Sequence, residues 1–307
     1  MKKLLGIILV FGFAVANAQQ LPQYSQYLLN DYVINPAVAG SKPFFIGKAN
    51  YRYQWEGITD APRTYILSVN GPTPNNKVGL GGYIFTDHVG PTRRTGGYFS
   101  YTYHLKVTEN TKLGLGLSAG LLQFMIDGSK ITLKDQGDNI ITGGVQSALI
   151  PDAGFGFHYY SDKWFVGASA PQLFRNRIKF FEDGINPTGR LSNHFFFMGG
   201  YKFDVADDIQ IEPTAMVKMV SPVPVQYELN VRGIYAEKVW LGFGYRYMDA
   251  ISGMIGYTFA ENISVGYSYD YTLTNIRNYS TGTHELMISL RFYDAKERAK
   301  KNSPSIQ

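Results

Sequence analysis

Few side chains in this sequence are spaced for chemistry. Five histidines, His88, His104, His158, His194 and His284, are scattered along the chain. None forms the His-x-x-x-His or mixed cysteine–histidine spacing of a metal site. Cysteine is absent, which removes disulfides, thiolate ligands and thiol nucleophiles. Gly114, Gly116 and Gly120 superficially resemble a dinucleotide loop, but the spacing is wrong. Leu113, Leu115 and Leu117 alternate with them, as they would along one strand. No Gly-x-Ser-x-Gly elbow is present. A Ser–His pair assembled across strands would leave no local signature. Asp127, Asp135 and Asp138 do not make a calcium loop of alternating carboxylates. His284 and Glu285 are adjacent, so on a strand they point to opposite faces. No catalytic, cofactor-binding or metal-binding residue is assigned, and the chain is not read as an enzyme.

The polar residues that do show a pattern repeat every second position. Lys48, Asn50, Arg52 and Gln54 form one such series; Gln226, Glu228, Asn230 and Arg232 form another. A period of two is the signature of a strand with one polar face. The stretch Val239 to Tyr293 states the pattern most fully. Val239, Leu241, Phe243 and Tyr245 oppose Trp240, Gly242, Gly244 and Arg246. Ile263, Val265, Tyr267, Tyr269 and Tyr271 oppose Ser264, Gly266, Ser268 and Asp270. Apolar faces opposite small or charged ones suit a closed membrane barrel with lipid outside and a polar lumen inside. An Arg or Lys facing lipid near the bilayer midplane would cost about 2–4 kcal/mol, so the charged series must face inward. Their plainest use there is to pair with one another across the lumen.

The expected fold is therefore an all-β, transmembrane antiparallel barrel of about fourteen strands. The candidates lie at roughly 44–55, 62–71, 76–86, 94–106, 111–123, 151–161, 163–170, 191–204, 207–218, 223–236, 238–248, 251–260, 262–273 and 282–293. With a periplasmic N-terminus, all inside connections are short, and the two longest connections, 124–150 and 171–190, fall outside. The inward candidates Tyr83, Phe85, Phe196 and Trp240 lean towards a filled interior.

Composition agrees. The chain carries 23 tyrosines and 33 glycines, and only 17% of its residues are charged. Tyrosine can supply interface girdles, and glycine suits crowded, curved strands. Residues 1–18 read as a signal peptide: Lys2 and Lys3, an apolar run from Leu4 to Val15, then Ala16-Asn17-Ala18 for cleavage. Residues 19–43, broken by Pro22, Pro36 and Pro43, form an N-terminal periplasmic or plug segment. The barrel occupies 44–293, and 294–307 is a charged C-terminal tail. A formal charge of +5, with a basic run only in that tail, gives no concentrated basic face, so no nucleic-acid partner is expected.

A family resemblance emerges from motifs in order along the chain. Leu21-Pro22-Gln23-Tyr24-Ser25-Gln26-Tyr27 is followed by Asn35-Pro36-Ala37-Val38-Ala39-Gly40-Ser41. Then come Tyr51-Arg52-Tyr53-Gln54-Trp55, Gly79-Leu80-Gly81-Gly82, Asp87-His88-Val89-Gly90 and Pro151-Asp152-Ala153-Gly154-Phe155-Gly156. Near the end stand Val239-Trp240-Leu241-Gly242, Tyr245-Arg246-Tyr247, Gly266-Tyr267-Ser268-Tyr269-Asp270 and His284-Glu285-Leu286. The set resembles the PorP/SprF family over about 21–293. Tyr24, Ser25, Gln26, Tyr27, Asn35, Pro36, Ala37 and Gly40 carry its opening motif. The resemblance implies a Bacteroidetes outer-membrane barrel of the type IX secretion and gliding-motility machinery. It implies a role in secreting or retaining surface adhesins that carry a C-terminal sorting domain, with other secretion components and outer-membrane lipid as partners. It transfers no cofactor and no catalytic residue. The loops 124–150 and 171–190 together form the candidate docking surface; the second carries Phe174, Arg175, Arg177, Phe180 and Phe181, an aromatic–basic mixture that suits contacts. The alternative is a porin or hydrophobic-solute uptake barrel.

Overall fold

Burial alternates along strand after strand, and that alternation closes the chain into a cylinder. The computed structural model describes residues 23–131, 144–178, 190–221, 223–260 and 262–292. The signal peptide read at 1–18, the tail at 294–307, and Phe180 and Phe181 lie outside the described residues. The strands are β1 (Phe45–Glu56), β2 (Arg63–Pro72), β3 (Val78–Val89), β4 (Thr92–Lys106) and β5 (Lys112–Asp127). They continue as β6 (Val145–Tyr160), β7 (Trp164–Ala170), β8 (His194–Tyr201), β9 (Phe203–Ala206) and β10 (Ile209–Val220). The last are β11 (Val223–Tyr235), β12 (Val239–Arg246), β13 (Ala250–Phe259), β14 (Ile263–Thr272) and β15 (Gly282–Phe292).

Each strand pairs antiparallel with its neighbours, and β1 closes on β15 from Phe45↔Phe292 to Tyr53↔His284. β8 and β9 are one strand interrupted at Lys202. Gly200 pairs with Thr214 and Phe203 with Ile211, so the register on β10 is unchanged across the break. The barrel is thus closed and fourteen-stranded, which leaves no open edge. Lys48, Asn50 and Arg52 on β1, and Ser264, Ser268 and Asp270 on β14, are buried in the lumen. Leu67, Ile84, Phe99, Leu117, Leu229 and Leu241 point outward and are each more than half exposed. Outward aromatics contact one another towards both ends, as in Tyr201–Phe203 and Tyr257–Phe259 at one rim and Tyr227–Tyr247 at the other. An apolar band between aromatic girdles is the exterior a bilayer requires.

The rim that holds both barrel ends also holds the short turns, such as those between β11 and β12 and between β13 and β14. By the asymmetry of such barrels this is the periplasmic rim. The other rim carries the longer connections. One of them is shorter than the expected 124–150. β5 and β6 stay paired from Leu121↔Pro151 to Asp127↔Val145, leaving 128–144. Pro151 reads as a strand start because it lacks an N–H. Here it is tolerated because β7 pairs with β6 only as far as Phe155, so on one side this stretch of β6 has no strand beside it. Residues 171–178 run along that open side: Leu173 N donates to Ala153 O at 2.9 Å, and Asn176 Nδ2 donates to Pro151 O at 2.7 Å.

Candidate functional site

The lumen is occupied by the chain's own N-terminal segment. Gln23, nearest the loop rim, donates from Nε2 to Gln226 Oε1 at 3.3 Å, with Asp249 Oδ2 of the β12–β13 turn at 3.5 Å. From there the segment descends to enter β1 at the periplasmic rim. Two short 3-10 turns, Asp31–Val33 and Pro36–Val38, compact it. Asn35 caps the second turn, its side chain accepting from Ala37 N at 3.0 Å, and Pro36 follows where a missing N–H costs nothing. Ser25, Asn35, Ala37 and Ala39 are fully buried, and Gln26, Tyr27 and Tyr32 are 1% exposed.

Charged side chains from five strands clamp the upper half of this plug. Glu285 accepts from Ser25 N at 2.8 Å and from Gln26 N at 3.2 Å, one amide on each carboxylate oxygen. Arg52 Nη1 donates to Glu285 Oε2 at 3.0 Å and to Ser25 Oγ at 2.9 Å, while Nη2 donates to Asp270 Oδ2 at 2.9 Å. Ser25 Oγ donates to Asp270 Oδ2 at 2.5 Å. Arg246 donates to Glu228 at 2.9 Å, to Asp249 at 3.2 Å and to Ser25 Oγ at 3.2 Å. Burying so many charges is costly unless each is paired and hydrogen-bonded, and removing one partner from such a set costs about 3–5 kcal/mol. One serine therefore sits in contact with two arginines and a carboxylate that are already held by the wall.

Neutral hydrogen bonds and flat walls hold the lower half. Asn30 Nδ2 donates to Asn50 at 2.8 Å, and Asn230 Nδ2 donates to the Tyr27 hydroxyl at 2.9 Å. Tyr32 donates to Ser100 Oγ at 3.1 Å; burial pushes its phenol up to about 12, so it remains a donor. Thr102 Oγ1 donates to Pro36 O at 2.7 Å, Ser169 Oγ to Ile34 O at 2.8 Å, and Asn35 Nδ2 to Phe157 O at 2.9 Å. His104 Nε2 lies 2.8 Å from Ala39 O and Nδ1 lies 3.1 Å from Tyr160 Oη. A carbonyl can only accept, so Nε2 carries the proton and Tyr160 donates to Nδ1. Close approach is possible because the facing wall is glycine. A Cβ at Gly114 would stand 2.7 Å from Ala37 O, and one at Gly79 or Gly116 would overlap the plug backbone itself. Of the three glycines that superficially resemble a nucleotide loop, Gly114 and Gly116 serve to admit this turn, while Gly120 faces Gly97 O and the Tyr98 ring.

Above the plug, Ile66, Phe85, Tyr98, Leu122, Phe124, Ala148 and Ile150 form an apolar layer, joined by Ile178 and Leu191 from the loop after β7. That loop therefore covers the mouth through Ile178 and Leu191, while Phe174, Arg175 and Arg177 stay exposed. A cavity of about 50 Å³ lies in this region, lined by Tyr24, Val33, Phe85, Phe196 and Met216. Below the plug a cavity of about 450 Å³ opens at the periplasmic rim.

The motif residues Ser25, Gln26, Tyr27, Asn35, Pro36, Ala37 and Gly40 are thus gathered in the plug, and Tyr24 lines the upper cavity. The inward series of β1 and β11 contribute to the wall that holds it. The five histidines go to separate places: His88 and His284 face outward, and His104, His158 and His194 are buried at different points. Among the described residues no cluster of His, Asp and Glu could hold a metal ion. Sequence reasoning missed Glu285 as the hub, because the adjacent pair with His284 was weighed only as a local motif. The available signal was parity, which places Arg52, Glu228, Arg246, Asp270 and Glu285 all on inward faces.

A closed antiparallel cylinder with an apolar outer band and a polar, self-plugged lumen defines an outer-membrane β-barrel protein. Solved barrels share the fold. The Ralstonia pickettii toluene transporter TbuX matches with TM-score 0.53 and 10% identity over 85% of this chain and 92% of its own. The CymD monoaromatic hydrocarbon channel matches with TM-score 0.51 and 13% identity over 86% and 93%. A Pseudomonas aeruginosa FadL homologue matches with TM-score 0.50 and 13% identity over 84% and 91%. No curated protein sequence matches the chain. The chain belongs to the PorP/SprF family of type IX secretion system membrane proteins, whose family model matches residues 16–290. It is an outer-membrane component of that secretion system, not an enzyme, and other secretion components are its partners.

Proposed function

We propose that this barrel is a docking station that binds or anchors secreted surface adhesins through their C-terminal sorting domain, and that cargo does not pass through its lumen. The observation that supports this reading is the plug. Mid-lumen space is filled by Ser25 to Gly40, tied to the wall by buried charge and by hydrogen bonds along its length. Docking then falls to the rims, and the exposed Phe174, Arg175 and Arg177 offer aromatic and basic contacts at the outer one. Shortening the loop after β7, while keeping Ile178 and Leu191, tests this. Loss of adhesin display with normal barrel insertion supports docking; unchanged display rejects that loop as the docking surface.

A second reading, uptake of a small apolar solute, draws on the likeness to hydrocarbon transporters and on the apolar upper cavity. Its size argues against it. The cavity is about 50 Å³, whereas a cavity known to take benzene is about 150 Å³. Zero conductance and no hydrocarbon-induced thermal shift in the purified barrel would exclude this reading.

A further inference from the structure

The periplasmic cavity contains a cation without a partner. Lys48 lies on the inward face of β1, between Ser289 of β15 and Ser68 of β2 in the register, and is 8% exposed. Among the described residues its ammonium has no hydrogen-bond or ion-pair partner, although it lines a cavity of about 450 Å³. Five more cations line the same space, Lys42, Lys163, Lys202, Arg232 and Arg291, together with the acids Asp31, Asp162, Glu212 and Glu237; Lys163 is paired with Asp204. Lys42, Arg232 and Arg291 are electrostatic neighbours of Lys48, and Asp31 is an acidic one. Arg232 is already engaged by Glu212, and the Arg291 guanidinium lies over the Phe44 ring, 5.3 Å from its centroid. Asp31 accepts from Tyr32 N at 3.0 Å. Elsewhere in the lumen the buried arginines Arg52 and Arg246 each have carboxylate partners. The buried Lys218 likewise has no hydrogen-bond or ion-pair partner among the described residues, but it lines the small upper cavity; Lys48 sits where the lumen opens widely to the periplasm.

We propose that this vestibule binds an oxyanion, a carboxylate or phosphate group arriving from the periplasm, at Lys48, with Arg291 and Lys42 at its entrance. A buried cation without a counter-charge is costly, and an anionic ligand that pairs with it offsets that cost. Three cationic donors not engaged by an acid, converging on one cavity, meet the charge and the hydrogen-bonding capacity of such a group. The volume admits the end of a peptide chain or a small phosphate, but not a folded domain.

The full-length barrel, folded in detergent, provides the test. Trp164 and Trp240 line the cavity and report occupancy by fluorescence. Two probes are titrated at constant ionic strength: inorganic phosphate, and a short peptide with a free C-terminal carboxylate, compared with its amidated form. Saturable binding of phosphate, of the free-acid peptide, or of both is expected, with the amidated peptide at least about tenfold weaker than the free acid if peptide is the source. Lys48→Gln should weaken binding about tenfold or more, and Lys48→Arg should restore most of it. If Lys48→Gln does not fold, Arg291→Gln at the exposed rim supplies the same comparison. Absence of saturable binding for both probes overturns the proposal, as does an affinity unchanged by the Lys48 and Arg291 substitutions.

Discussion

Glu285→Ala should free the top of the plug while leaving the barrel closed. The carboxylate holds two plug amides, Ser25 N at 2.8 Å and Gln26 N at 3.2 Å, and also Arg52 at 3.0 Å. Arg52 keeps Asp270 in the variant, so the loss falls mainly on the two amides. A hydrogen bond to a charged group contributes about 1.5–3 kcal/mol, so the two together hold the segment by about 3–6 kcal/mol. At about 1.4 kcal/mol per tenfold, local opening becomes about 10²–10⁴ times more frequent. Amide hydrogen exchange of the folded protein measures this directly. Ser25 and Gln26 amides should exchange faster by that factor. Ala37 and Ala39 should change little, because Asn35, Thr102 and His104 hold the lower turn independently. Glu285→Gln keeps one acceptor oxygen and should fall between. Unchanged exchange at Ser25 and Gln26 would refute the clamp. Equal acceleration along the whole plug and in β1 and β15 would refute the separation of its two halves.

Gly79→Ala should shift the plug near Ala39 and break its 2.8 Å bond to His104, raising exchange over 36–41 and costing about 1–3 kcal/mol. Gly82→Ala, on the outward face of the same strand, meets only Tyr98 O at 3.5 Å and should stay within about 0.5 kcal/mol in denaturant titration. Val265→Arg places a charge on the lipid face of β14 and should impair folding into bilayers by up to about 4 kcal/mol. Ser264→Arg points into the wide periplasmic cavity and should be milder in the same assay; equal effects would contradict the register.

The barrel was legible because lipid and lumen impose opposite demands on adjacent residues. Val239 to Arg246 and Ile263 to Asp270 show this in plain alternation, and the structure keeps each residue on its expected face. The extension of β5 and β6 beyond the expected ends was not legible. It depends on Leu173 and Asn176 coming from far along the chain to cover an open strand side at Pro151. The break at Lys202 leaves the register intact and had no sequence signature. The plug was partly legible, since prolines and aromatics before β1 marked an ordered non-strand segment. Its anchors were not, because Ser25 meets Glu285, Arg52 and Asp270 only after closure brings distant strands together. For the same reason Gly79, Gly114 and Gly116 read as strand glycines and not as the seat of a turn.

Co-purification of the full-length barrel from its native outer membrane, after cross-linking in the intact cell, tests the docking role most directly. A docking barrel should bring down a secreted protein with a C-terminal sorting domain, together with other type IX secretion components, and the purified barrel should not conduct. Recovery of the barrel without a secreted partner, in a preparation that forms open ion-conducting pores, would contradict both the plug and the docking role.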